Sequence, residues 1–99
     1  MHMNIFGKPA KSTQQVTDGR FEIEHNGSVA YLEYSLAGNV LELIHTEVPD
    51  SMRGTGVASE LAQSALELAR QRHWKVDVIC PFVAGYLSRH PEYSDLLLR

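Results

Sequence analysis

The chain has 99 residues, 43% of them hydrophobic and 21% charged, which leaves room for one domain and excludes a two-domain enzyme, a solenoid of several repeats or a large barrel. Nine Lys and Arg against twelve Asp and Glu give a formal net charge of −3. The basic residues are scattered, so the concentrated positive surface that nucleic-acid binding needs is missing. Cys80 is the single cysteine. No internal disulfide can form, no run approaches the ~18 apolar residues of a membrane span, and residues 1–11 lack a signal-peptide hydrophobic region. The expectation is a cytoplasmic domain, monomeric or weakly dimeric, with no membrane or nucleic-acid partner.

Residues 1–19 show no convincing period and read as a loose lead-in, with a short edge strand near Val16. From Arg20 the pattern tightens. Phe21 and Ile23 alternate with Glu22 and Glu24, which read as the wet face of an edge strand, and Asn26-Gly27 is a strong two-residue hairpin signal. A strand from Ser28 to Leu36 follows, with Ala30, Leu32, Tyr34 and Leu36 on one face. Ala37-Gly38-Asn39 turns the chain, and Val40 to Val48 sets Leu41, Leu43 and His45 against Val40, Ile44 and Val48. These three strands form an antiparallel meander.

After Pro49 the period changes to 3.6. Ala58, Leu61, Ala62, Ala65, Leu68 and Ala69 line one face of a helix that ends near Arg72 or His73. Trp74 to Ile79 reads as a fourth strand, so strand, helix and strand make a right-handed crossover with two parallel strands. Pro81 suits the first position of a short helix whose apolar face is Phe82, Val83, Tyr86 and Leu87, stopped by His90-Pro91. The pattern of Leu96-Leu97-Leu98 assigns it no state. His25, His73 and His90 show no metal-ligand spacing with one another or with Cys80, so no zinc site is expected.

The segment from Val48 to Ser59 joins a strand end to a helix start through Gly54 and Gly56. Such a turn exposes backbone N–H groups where the helix dipole is positive, which suits a phosphate or diphosphate. Thr55 offers a hydroxyl donor or a helix cap. A P-loop would need a Gly-Lys-Ser/Thr end, which is missing. A dinucleotide fingerprint would need a third small residue where Ser59 stands, and a different preceding fold. An ordinary glycine-bearing turn is the plain alternative.

Arg53-Gly54-Thr55-Gly56-Val57-Ala58 resembles the coenzyme A diphosphate signature of the GNAT acetyltransferase superfamily. With His45-Thr46-Glu47-Val48-Pro49, Cys80-Pro81-Phe82-Val83, Tyr86 and His90-Pro91-Glu92-Tyr93, the chain from about Arg20 to Leu98 resembles the small single-domain GNAT-like N-acetyltransferases. The resemblance implies a GNAT-like mixed α/β sheet: an antiparallel meander, a β-α-β crossover and a short C-terminal helix. It implies acetyl-CoA as cofactor, held along Thr46, Glu47 and Val48, at the loop from Arg53 to Ser59, and near Cys80, Pro81 and Tyr86. A free backbone N–H at Thr46 to Val48 is the oxyanion donor on that reading. Tyr86 protonates the leaving thiolate, and Cys80 lies near the acetyl group.

Each side chain also has a plainer reading. Cys80, at a strand end before a helix, is placed for thiol reactivity, yet free cysteines are also common buried packing. Tyr86 is a thiolate donor or a core ring. His45 and Glu47 share a strand face as a proton relay for the amine, or as a solvated pair. Larger GNAT enzymes carry N-terminal helices that help bind the acceptor, so here the acceptor side is expected to be open or completed by a partner. The expected function is acetyl transfer to a primary amine; the alternatives are a non-catalytic CoA or acyl-CoA binding module and a plain interaction domain.

Overall fold

The computed structural model describes residues 2–9 and 16–98. Five strands form one sheet in sequence order: β1 (His2–Pro9), β2 (Val16–His25), β3 (Ser28–Ala37), β4 (Val40–Glu47) and β5 (Lys75–Val78). The first four are antiparallel neighbours, and β4 and β5 run parallel through helix α1 (Val57–Arg72). Helix α2 (Pro81–Arg89) and a 3₁₀ turn over Pro91–Leu96 complete the chain. The mixed α/β architecture expected from the sequence is thus present.

The lead-in needs correction. Residues 2–9 pair with β2 from His2↔Glu24 to Pro9↔Thr17, and Val16 opens an inner strand. The meander therefore has four strands, and Glu22 and Glu24 lie on a strand paired on both sides. The period rule missed β1 because its pairing is long-range and its sequence alternates poorly. Residues 10–15 of the lead-in lie outside the described residues.

Local turn chemistry sets the register. Asn26 and Gly27 both have positive φ (53° and 83°), as a type I′ hairpin turn demands, and Gly38 (φ 60°) opens the β3–β4 turn. The helix layer covers one face only. Phe21, Ile23, Leu32, Leu41, Leu43 and Val76 meet Leu61, Ala62, Ala65, Leu66 and Ala69 in one core. Each fully buried Leu contributes roughly 1.5–3 kcal/mol. Leu66 and Val57 are buried where the spacing favoured Leu68 and Ala58, which are half-buried. The reason is that α1 packs against α2 and the C-terminal turn as well as the sheet, so its buried stripe is wider.

The C-terminal leucines have distinct fates. Leu96 is buried, Leu97 bridges Val76 in parallel, and the Leu98 N–H donates to the Val76 carbonyl at 3.0 Å. They cover the outer edge of β5. Arg70 fastens this segment to α1 through both Asp95 carboxylate oxygens (3.0 and 3.1 Å) and the Glu92 carbonyl (2.8 Å). The Tyr93 hydroxyl donates to Glu67 at 2.6 Å.

Candidate active site

The site begins with a register slip. Tyr34 pairs with Leu43 but Glu33 pairs with His45, so Ile44 is an extra residue in β4. Such a bulge bends its strand and re-aims the side chains beyond it. Period-two reading placed His45 on the face of Leu41 and Leu43. The bulge moves it to the other face, and Thr46, opposite the buried Leu32, takes the helix side.

The bulge is also where β4 and β5 part. Their ladder ends at Leu43↔Val78, and the amides of Ile79 and Cys80 both donate to the Leu43 carbonyl at 2.9 Å. Beyond it, no backbone hydrogen bond among the described residues joins Ile44–Val48 to β5 or α2. One edge of β4 is left with unpaired peptide groups facing a gap. Thr46 Oγ1 and Cys80 Sγ lie 3.2 Å apart across it. Cys80 is buried at the N-cap of α2 with Pro81 at the first helical position, as the sequence predicts.

At the far end of the gap the chain forms a 3₁₀ turn over Asp50–Met52 and then the glycine loop. Ser51 Oγ and Ser28 Oγ, 3.0 Å apart, tie this turn to β3. Gly54 and Gly56 have φ of 79° and 81°, and Gly56 is the N-cap of α1. The first intrahelical bond is Glu60 N–H to the Gly56 carbonyl, so the amides of Val57, Ala58 and Ser59 have no helical partner. Thr55 does not cap α1: its hydroxyl donates to the Met52 carbonyl, which leaves the N-terminus open. The cap reading failed because Gly56, one residue later, begins the helix.

These groups line a cavity of about 310 Å³ formed by Val48, Met52, Arg53, Gly54, Gly56 to Ser59 and Phe82. A Cβ placed on Gly54 or Gly56 would meet no protein atom within 4 Å, so their absence keeps the loop conformation and its open side rather than relieving a packing clash. Arg53 pairs its Nε with Asp50 at 3.0 Å and stays largely exposed. Phe82 was expected in the apolar face of α2. It is 36% exposed and forms a wall of this cavity instead.

His45 Nε2 and Glu47 Oε1 are 3.0 Å apart on the face away from the helices, and both are half exposed. Tyr86 is buried, its ring stacked on His90 (centroids 4.1 Å apart, 19° between planes) and tilted against Tyr93. Burial and then the nearby Glu92 and Glu67 carboxylates push its hydroxyl pKa up. Its ring contacts lie toward the C-terminal turn, and no hydrogen bond joins it to Cys80 or Thr46. The structure thus brings Thr46, Cys80 and the strand end together, gathers Arg53, Gly54 and Gly56 to Ser59 at the cavity without Thr55, and sets His45 with Glu47 apart on the opposite face. The Thr46–Cys80 contact and the cavity role of Phe82 carried no local sequence signal, since each joins residues from elements separated in the chain.

The model of the GCN5-related N-acetyltransferases matches residues 20–96. The chain belongs to that family. Within it, the chain is 32% identical over 88 residues to Protein NATD1 of Mus musculus, covering 86% of this chain and 80% of that protein. It is 34% identical over 67 residues to Protein NATD1 of Gallus gallus and of Homo sapiens, covering 68% of this chain and 60% and 58% of those proteins respectively. The aligned part therefore spans about three-fifths of those two relatives.

Proposed function

We propose that the chain is an acetyl-CoA-dependent N-acetyltransferase that acts on a primary amine. The observation that carries this reading is the continuity of the unpaired β4 edge with the open N-terminus of α1: one end offers peptide groups and the Thr46–Cys80 pair, the other unpaired amides and a cavity. The residues fit the group. The amides of Val57 to Ser59, with Arg53 beside them, would hold a diphosphate, and the glycines keep the approach clear. The free edge of β4 would take the amides of an extended pantetheine arm, with Val48 and Phe82 as apolar walls.

Bound acetyl-CoA supplies an activated acyl group as a thioester. The remaining chemistry belongs to the protein. A β4 N–H aimed into the gap stabilises negative charge on a carbonyl oxygen. His45 and Glu47 accept the proton of an ammonium, directly or through water, because only the unprotonated amine is a nucleophile. Return of a proton at the gap falls to Cys80, supported by its contact with Thr46, rather than to Tyr86, whose ring contacts lie elsewhere. Transfer straight to the amine needs no covalent protein intermediate.

The test is calorimetric titration with acetyl-CoA, CoA, NAD and ATP, followed by mass spectrometry of amines incubated with acetyl-CoA and the protein. Heat from the CoA species alone and an acetylated product are expected. Binding with no product from any amine would assign a CoA-binding module, and no heat from either CoA species would overturn both readings.

A further inference from the structure

The far end of α1 carries a second cavity. The helix runs 16 residues from the glycine loop to His73, about 24 Å. It stops in a Schellman motif, in which the amides of His73 and Trp74 donate to the Arg70 and Ala69 carbonyls at 3.3 and 2.9 Å. His73 takes the left-handed position of that motif, with φ 60°, where glycine is the usual residue. Trp74 and Lys75 then lead into β5, and the turn over Pro91–Leu96 folds back beside them. Arg70, His73, Trp74, Lys75, Asp95 and Leu96 line a cavity of about 390 Å³, within the size range of small-molecule sites.

The cations of this cavity are fixed in place more than they are neutralised. Arg70 commits its two terminal nitrogens to the Asp95 carboxylate and the Glu92 carbonyl. The Lys75 ammonium is anchored on the Asp95 carbonyl at 2.9 Å, a neutral acceptor, and keeps two of its three donors. The His73 imidazole has no hydrogen-bond partner among the described residues. Two cations against the single carboxylate of Asp95 leave the lining net positive.

The geometry of the donors selects the anion. A flat carboxylate is best taken by a guanidinium fork, and that of Arg70 is already occupied by Asp95. What remains is an ammonium and an imidazole, separate point donors that suit the tetrahedral oxygens of a phosphate monoester. Beside them the half-buried Trp74 indole and the buried Leu96 form an apolar wall that suits a flat ring. The Arg72 guanidinium lies over the same indole, 5.9 Å from its centroid, and adds a further positive charge there.

We propose that the cavity between the end of α1, the start of β5 and the C-terminal turn is a second ligand site, for a small phosphate monoester carrying a flat ring, a nucleoside monophosphate in chemical class. Lys75 and His73 hold the phosphate, and Trp74 with Leu96 takes the base. The site does not depend on the acetyltransferase reading, since none of its residues belongs to the gap or to the cavity of the glycine loop. A ligand there ties α1 to the C-terminal turn and stabilises the fold in proportion to its occupancy.

The experiment is an NMR titration of the labelled full chain with adenosine 5′-monophosphate, and with adenosine and inorganic phosphate as partial probes. The monophosphate should shift the amides of residues 70–75 and 94–97 and the Trp74 indole N–H, with an affinity about tenfold or more above that of either partial probe. Glycine suits the left-handed position, so His73→Gly should melt no lower than the parent chain while its affinity for the monophosphate falls about fivefold or more. Lys75→Gln keeps a donor for the Asp95 carbonyl, loses the charge, and should weaken binding by a similar factor. Unchanged affinity in both variants, adenosine binding as tightly as its monophosphate, or no shift at millimolar monophosphate overturns the proposal. Shifts confined to residues 54–59 would place the probe in the cradle of the glycine loop and overturn the second site. With acetyl-CoA present in excess the shifts at 70–75 should persist, and their displacement overturns the independence of the two sites. Shifts at 70–75 in a chain that binds no acetyl-CoA sink the cofactor reading alone.

Discussion

Thr46 Oγ1 and Cys80 Sγ, 34 residues apart in the chain, meet at 3.2 Å across the only part of the β4–β5 boundary that lacks a backbone ladder among the described residues. A hydroxyl beside a buried thiol supports a proton-carrying role more specifically than burial does. Cys80→Ala should leave acetyl-CoA affinity nearly unchanged and lower acetyl transfer by about tenfold or more, within the range for a positioned proton donor. Calorimetry and turnover measured by mass spectrometry separate the two effects. Full turnover in the variant would reduce Cys80 to packing.

Gly56→Val addresses the loop. The position has φ 81° and caps α1, so the substitution costs roughly 1–2 kcal/mol of backbone strain and crowds the helix N-terminus. Gly38→Val places comparable strain in the β3–β4 turn, away from the cavity. Both variants should melt earlier, but only Gly56→Val should lose CoA binding in calorimetry below its melting point. Equal affinities would contradict the diphosphate cradle.

The C-terminal turn has a distinct alkaline signature. The hydrogen bond to Glu67, together with burial, pushes the Tyr93 hydroxyl up to about 12. Its ordinary value is near 10. A raised folded-state value means that the neutral form is favoured by the fold, so its contribution is complete below pH 10 and is lost as pH rises from about 10 to 12. Tyr93→Phe should lower stability by about 1 kcal/mol near neutral pH, because Glu67 is exposed and is hydrated again when the bond is lost. Its difference from the parent chain should shrink across that alkaline window in denaturant titrations.

The opposite limit tests Asp95. The hydrogen bonds from Arg70, and then its positive charge, hold the Asp95 carboxyl below the usual carboxylate range. A lowered folded-state value contributes stability above the ordinary pKa and loses it as pH falls through the lowered one. Asp95→Asn should therefore flatten the acid limb of the stability profile. Because the pair is exposed, solvent screens it and the effect near neutral pH should be small.

Much of the architecture was legible because its determinants are local. Asn26-Gly27 and Gly38 set two turns through their φ angles, alternation marked β2 to β4, and an alanine-rich 3.6 period marked α1. Other features depended on partners distant in the chain. β1 exists through its ladder with β2, and the fate of Leu97 depends on Val76. Ile44 has the character of an ordinary strand residue, so nothing in its neighbourhood announces a bulge, and the face of His45 was misassigned for that reason. The loop from Arg53 to Ser59 was readable as a motif, whereas Phe82 became part of its cavity only through the placement of α2.

The bulge at Ile44 makes the number of residues in β4, more than their identity, the determinant of the gap. Exchange of one strand-forming side chain for another at this position leaves the count intact and with it the parting of the two strands. Loss of a single codon would restore continuous pairing with β3, straighten β4 and bring its free edge toward β5. Frame-preserving insertions and deletions in this short segment are thus a greater hazard to the site than most missense changes.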